Sequence, residues 1–329
     1  MSRMQGKVLP ERSAEEPVYV GIDVCKAWLD VYLHPLATRL RVANSADGLK
    51  QLKRALTGRR VALVVMEATA KYHRRAHRVL AAAGYAVAVV NPLRARLFAA
   101  SAGALAKTDR IDARLLALMG ESLQPAPVSP PSPQLEELQE LVRARQAASA
   151  EAAALADRCG AIAGAFLKAE YKRRIDAIKR HLARLDAEIE RRIKEDPALQ
   201  RRYRILLSIP GIGPLTAATL LVDLSELGAC SAKAAGMLTG LAPIACDSGE
   251  RTGQRHIRGG RANVRQILYM AAVTAIRCNP DLAAFYARLR EAGKKPKLAL
   301  TAVMRKLVVL ANTLLHQDRT WQKIPPLRA

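Results

Sequence analysis

Four acidic side chains sit where strands or a helix would deliver them to one shared cation site. Asp23 interrupts the apolar run Val18-Tyr-Val-Gly-Ile-Asp-Val, and Glu67 closes the run Val61-Ala-Leu-Val-Val-Met-Glu. Asp109 and Asp112 fall in Thr108-Asp-Arg-Ile-Asp-Ala, which reads as the opening of a helix with Thr108 as its cap. A carboxylate at the end of a buried strand is costly unless a cation compensates it. The spacing of three puts Asp109 and Asp112 on one helical face. Hard oxygen ligands of this kind suit Mg²⁺, with Mn²⁺ as the alternative, held through one or two carboxylates plus phosphate oxygens. A metal pair so placed can clamp the attacking and leaving oxygens of a phosphodiester. That chemistry belongs to nucleic acid.

A second set lies far along the chain. The loop Leu241-Ala-Pro-Ile-Ala-Cys-Asp-Ser-Gly-Glu-Arg-Thr-Gly-Gln-Arg-His-Ile-Arg-Gly-Gly-Arg holds one serine, Ser248, followed by Arg251, Arg255, Arg258 and Arg261, with Arg265 just beyond. A serine hydroxyl is a poor nucleophile until a base or metal field activates it, so on its own Ser248 reads as a turn residue. The arginines can grip phosphate oxygens, contacts that position a nucleic acid without specifying its sequence, or form a plain solvated basic face. Tyr72, His73, Arg74 and Arg75, close behind Glu67, are further candidates for RNA or DNA contact.

The elements that must position these residues follow from periodicity. Residues 17–24, 28–33, 38–42, 61–66 and 85–90 read as strands, and 45–56, 72–83, 93–100 and 109–121 as helices. Strands first, then strands alternating with helices, indicate an α/β layer domain with a mixed sheet. A proline-rich linker over 122–133 follows, because its prolines forbid a helix. Residues 134–198, nearly free of Gly and Pro, read as a long helical hairpin or coiled coil, either a dimerisation arm or clamp or an internal spacer. Residues 199–329 form a helical C-terminal domain. Within it Ile209-Pro-Gly-Ile-Gly resembles a helix-hairpin-helix turn, where N–H groups freed by Gly211 and Gly213 can meet a DNA phosphate. A simple tight turn is the other reading.

Composition narrows the partners. The 329 residues carry 53 Lys and Arg against 29 Asp and Glu, a net charge of +24. Residues 250–329 hold 16 of the basic and 4 of the acidic residues, half the surplus in a quarter of the chain. Such an excess marks a polyanion partner held by salt-sensitive phosphate contacts. The five cysteines show no paired spacing, so neither a zinc site nor a disulfide framework is expected. The polar stretch 1–16 lacks a signal-peptide core, no stretch is expected to reach the length of a membrane span, and a cytoplasmic protein is expected.

Gly21-Ile-Asp23, Met66-Glu67-Ala-Thr, Lys107-Thr-Asp109-Arg-Ile-Asp112-Ala, Ile209-Pro-Gly-Ile-Gly, Gly240-Leu-Ala-Pro and Asp247-Ser248-Gly249 occur in that order. Together, through about residues 17–121 and 200–316, they resemble the DEDD transposases of bacterial insertion sequences, relatives of the Piv-type DNA invertases understood as bridge-RNA-guided serine recombinases. The resemblance implies a RuvC-like, ribonuclease-H-type domain over 17–121 whose Asp23, Glu67, Asp109 and Asp112 bind Mg²⁺. It implies a C-terminal transposase domain in which Ser248 attacks the phosphodiester. It further implies double-stranded donor and target DNA, a structured guide RNA and a homo-oligomer, a dimer or tetramer, working at the nucleoid. The family often has two adjacent serines in this loop; here Asp247 precedes Ser248, as an extra metal ligand or a turn former. Two rival readings are a RuvC-like nuclease that hydrolyses branched DNA, with Ser248 structural, and a non-enzymatic nucleic-acid-binding protein.

Overall fold

Apolar alternation in the first third of the chain builds five strands: β1 (Val18–Val24), β2 (Trp28–His34), β3 (Thr38–Ala43), β4 (Val61–Glu67) and β5 (Val87–Val90). The structure, a computed structural model, describes residues 16–103, 109–245, 247–249, 253 and 255–323, and at 109–111 the backbone alone. Thr108 and nearly all of the expected N-terminal extension lie outside the described residues. The chain divides into two compact units, Met1–Pro131 and Ser132–Ala329.

In the first unit the sheet order is β3-β2-β1-β4-β5. The first three strands pair antiparallel, while β1–β4 and β4–β5 are parallel, so the sheet is mixed as expected. This arrangement fits a ribonuclease-H-type domain. The helices are α1 (Ala46–Leu56), α2 (His73–Ala82), α3 (Pro92–Ser101) and α4 (Asp109–Leu123). Ser45 starts α1 by accepting from the Gly48 N–H at 3.2 Å, and Asp47 and Lys53 with Arg54 match the helix dipole at its two ends.

Strand pleating sorts the side chains onto two faces. Val20, Ile22, Val64 and Met66 point to one, where they meet Leu49, Leu52 and Leu56 of α1 and Ala76 and Leu80 of α2. Leu63, Val65, Ala88 and Val90 point to the other, against Leu116 and Met119 of α4. The proline-rich segment is tied down within this unit. The Val128 N–H donates to Val87 O at 2.8 Å, and buried His77 donates from Nε2 to Val128 O at 2.7 Å.

The second unit begins with the expected hairpin, α5 (Pro133–Ala161) and α6 (Ala165–Glu195). Ion pairs fix its antiparallel register: Arg192 holds Glu137 at 2.6 and 2.9 Å, and Arg145 holds Asp186 at 2.9 and 3.3 Å. Then come α7 (Pro197–Leu207), α8 (Pro214–Asp223), α9 (Ala232–Leu238), the short strands β6 (Pro243–Ile244) and β7 (His256–Ile257), α10 (Ala262–Cys278), α11 (Pro280–Glu291) and α12 (Pro296–His316). The foot of the hairpin is not separate from these helices. Leu138, Val142, Ile189 and Ile193 share one core with Leu206, Leu221, Leu268 and Leu307. One expectation is corrected: α12 is long and apolar enough, by length and composition, to cross a membrane. Its apolarity serves packing, since Val303, Leu307, Val308 and Ala311 are fully buried in that core.

Candidate active site

Gly21 sets the geometry of the carboxylate end of the first unit. A Cβ there would lie 2.0 Å from Ala113 O and 2.4 Å from Ala117 N, so α4 rests directly on the backbone of β1. A glycine inside a strand commonly marks such a close approach. Gly120, farther along α4, meets Val65 and Tyr19. The helix therefore runs opposite to β1, and its first turn comes to the carboxyl end of that strand.

Residues 19, 21 and 23 share one face of β1, and 63, 65 and 67 share the matching face of β4. Both faces look toward α4. The parallel register pairs Ile22 with Met66, which sets Asp23 beside Glu67 at neighbouring strand ends. Asp112 lies in the arriving turn of α4, one residue before Ala113. Asp23, Glu67 and Asp112 are each partly buried, and none is without a partner. Asp109 is the first residue of α4; its side chain lies outside the described residues. Among the described residues no three acidic, His or Cys side chains form a closed metal-holding group. The donor chemistry nevertheless fits a hard divalent ion: Asp23, Glu67 and Asp112 all offer carboxylate oxygens, from the carboxyl ends of β1 and β4 and the first turn of α4.

Asn44 adds a link that the sequence does not signal. Its amide donates to Cys25 O at 3.0 Å and to Tyr72 O at 3.1 Å, joining the loops that follow Asp23 and Glu67. Asn before a serine cap looks like ordinary helix-start chemistry, so nothing singled it out. Tyr72, His73, Arg74 and Arg75 stand at the start of α2, with Arg75 exposed.

In the second unit, β6 and β7 pair antiparallel, Pro243 with Ile257 and Ile244 with His256, and close a hairpin whose loop carries exposed Ser248. Asp247 accepts from the Gly253 N–H at 3.1 Å and from Arg255 Nη2 at 3.2 Å, so it organises the loop across its width. Arg251 lies outside the described residues. Arg258 is exposed and has no partner among the described residues. Arg261 is engaged elsewhere, holding Glu226 at 2.8 and 2.5 Å. Burial pushes the Glu226 carboxyl up, but the hydrogen bonds and charge of Arg261 outweigh it and leave the group below its ordinary value. Arg265 turns to the backbone, donating to Gly259 O at 2.7 Å.

The Pro-Gly-Ile-Gly turn joins α7 to α8 as expected. Gly211 has φ +104°, and a Cβ would sit 2.5 Å from Ala275 Cβ of α10, so packing alone accounts for glycine there. Gly213 caps the N-terminus of α8 with open space in front of it.

Comparison with known proteins draws these features together. Residues 20–163 match a family described as transposase, of the DEDD class, and residues 203–287 match the transposase IS116/IS110/IS902 family. Pilin gene-inverting proteins of Moraxella bovis and Moraxella lacunata are each 28% identical over 315 residues, covering 93% of this chain and 98% of theirs. An uncharacterised protein of insertion element IS116 from Streptomyces clavuligerus is 33% identical over 143 residues, 42% of this chain and 35% of its own.

Proposed function

This chain belongs to the IS116/IS110/IS902 transposases, enzymes that recombine DNA, and from that premise we propose that it cuts and rejoins strands through a covalent phosphoserine at Ser248. The observation that carries the reading is the seating of α4 on Gly21, which supports a convergence of Asp23, Glu67 and Asp112 and the start of α4 at one sheet edge. Asp23, Glu67, Asp109 and Asp112 would hold Mg²⁺ or Mn²⁺, which when bound supplies a positive field for phosphate oxygens.

Ser248 Oγ forms a bond to phosphorus as the deoxyribose oxygen opposite departs. The serine proton passes to a base or solvent, and the departing oxygen takes one up. Attack by another strand's hydroxyl reverses these events and frees Ser248, so the bond energy is kept and no ATP is needed. Exposure of Ser248 on a hairpin loop supports this role, because a nucleophile for a duplex must stand proud of its own fold. Arg251, Arg255 and Arg258 are assigned to phosphates of the bound DNA, and the Gly213 end of α8 to a further backbone contact. Donor and target choice is assigned in part to a structured guide RNA, on the family resemblance and the basic surplus. Sequencing RNA that co-purifies tests that part; a transcript set with no pairing to the recombined DNA removes it. The working form is a homo-oligomer in the cytoplasm, a proposal that light scattering on the DNA-bound protein tests; a monomer there refutes it.

Denaturing electrophoresis of full-length protein with a cleavable duplex tests the mechanism. Wild type should give a protein–DNA adduct, Ser248→Ala should lose both adduct and cutting, and Asp23→Asn should lose both while still binding duplex. Continued cutting by Ser248→Ala would make the enzyme a hydrolytic nuclease instead.

A further inference from the structure

At the foot of the serine hairpin two chain segments cross backbone to backbone. A Cβ on Gly240 would lie 2.1 Å from Gly259 O and 2.4 Å from Arg265 Nη1. A Cβ on Gly260 would lie 2.1 Å from Gly240 N and 2.5 Å from its Cα. Both glycines have positive φ, +67° and +65°, so the crossing needs glycine for contact and for conformation. The segment leaving the hairpin is stitched to the one entering it, with the Arg261 N–H donating to Leu238 O at 2.8 Å.

Arg265, on the first turn of α10, spans this crossing. Nη1 donates to Gly259 O at 2.7 Å and reaches Thr239 O at 3.5 Å, one acceptor on each segment. A guanidinium suits the task because Nη1 carries two N–H donors, one for each acceptor, on a rigid planar group. Arg261, the N-cap of α10, is braced in turn by Glu226. The hairpin thus leaves the helical core from a clamped foot rather than from a loose pair of loops.

We infer that Arg265 is a positioning residue for Ser248 and not a phosphate contact: its hold on Gly259 O and Thr239 O across the Gly240–Gly260 crossing sets the direction in which the serine hairpin leaves α10. The inference rests on the reading of Ser248 as nucleophile. Reacting atoms must approach to about 3–3.5 Å in line, and a misplacement near 1 Å costs about a hundredfold in rate. A small tilt at the foot is magnified along the hairpin, whose loop carries Ser248.

The test uses full-length protein and a cleavable duplex, measuring Ser248-linked adduct, duplex affinity at several salt concentrations, and thermal stability. Arg265→Met removes charge and donors; Arg265→Lys keeps the charge but ends one bond short of Nη1, the single nitrogen that reaches both carbonyls. Adduct formation should fall about tenfold or more in both. Affinity, and the slope of log affinity against log salt, should match wild type in both. A slope smaller in magnitude by about one unit in Arg265→Met would identify a phosphate contact and overturn the inference. So would an adduct yield unchanged in either folded variant. If Arg265→Met does not fold, Arg265→Lys alone decides the matter on the same readouts. A wild-type protein that gives no Ser248 adduct overturns the function itself, whereas a wild-type adduct that both variants leave intact overturns this inference alone.

Discussion

Gly21 carries no functional group, yet it governs whether the carboxylates can meet. With any side chain there, β1 and α4 would have to part, because the contact is with the backbone of Ala113 and Ala117 rather than with yielding side chains. Gly21→Ala should destabilise the protein by about 1–3 kcal/mol, the usual cost of overpacking. It should also abolish adduct formation with Asp23 and Glu67 intact, as read by thermal melting and the duplex assay. Gly160 offers the opposite case. It lies within α5, has no positive φ and faces open space, so Gly160→Ala should raise stability by about 0.5–1 kcal/mol and leave cutting alone. A loss of cutting in Gly160→Ala, or a silent Gly21→Ala, would contradict this account.

At the scale of elements, the Glu226–Arg261 pair joins the loop after α8 to the start of α10. The folded carboxyl titrates below its ordinary value of 4.5, so the pair's contribution is present above that pH and is lost as acid protonates the folded group. Melting temperatures measured from pH 7 downward should therefore fall less steeply below about pH 4.5 in Glu226→Gln than in wild type. Identical acid limbs would show that the pair does not contribute. The main elements were legible from periodicity: each strand expected in the first unit is present, as are the hairpin and the helical character of the C-terminal part. What escaped has physical reasons. The strands β6 and β7 have two residues each, too few to show a period. Helix α9 spans seven residues, rich in alanine. Helix α11 carries a local start signal, Asn279 as cap and Pro280 at the first position. Asp23 and Glu67 could be named from their strand ends, whereas the seating of α4 on β1 depends on a long-range contact. The glycine two residues before Asp23 was its sole local sign. The engagement of Arg261 and Arg265 was likewise invisible, because an arginine run looks the same whether it faces phosphate or backbone.

For the molecule as a whole, the net charge of +24 sets the conditions under which it can work. Binding to duplex should weaken steeply with salt, with six to ten phosphate contacts losing about 10³–10⁵ in affinity between 50 and 200 mM. Filter binding or anisotropy across that range checks it; a flat response would mean that the basic residues are spent inside the fold. Several visibly are, including those on Glu137, Asp186 and Glu226.

The clamped foot at Gly240 and Gly260 has one more consequence. Because the two segments are sealed together before α10 begins, a substitution between them that spares Ser248, Asp247 and the crossing should transmit little strain to the helices beneath. The surroundings of the serine can then be altered by substitution while the scaffold that supports it stays as it was.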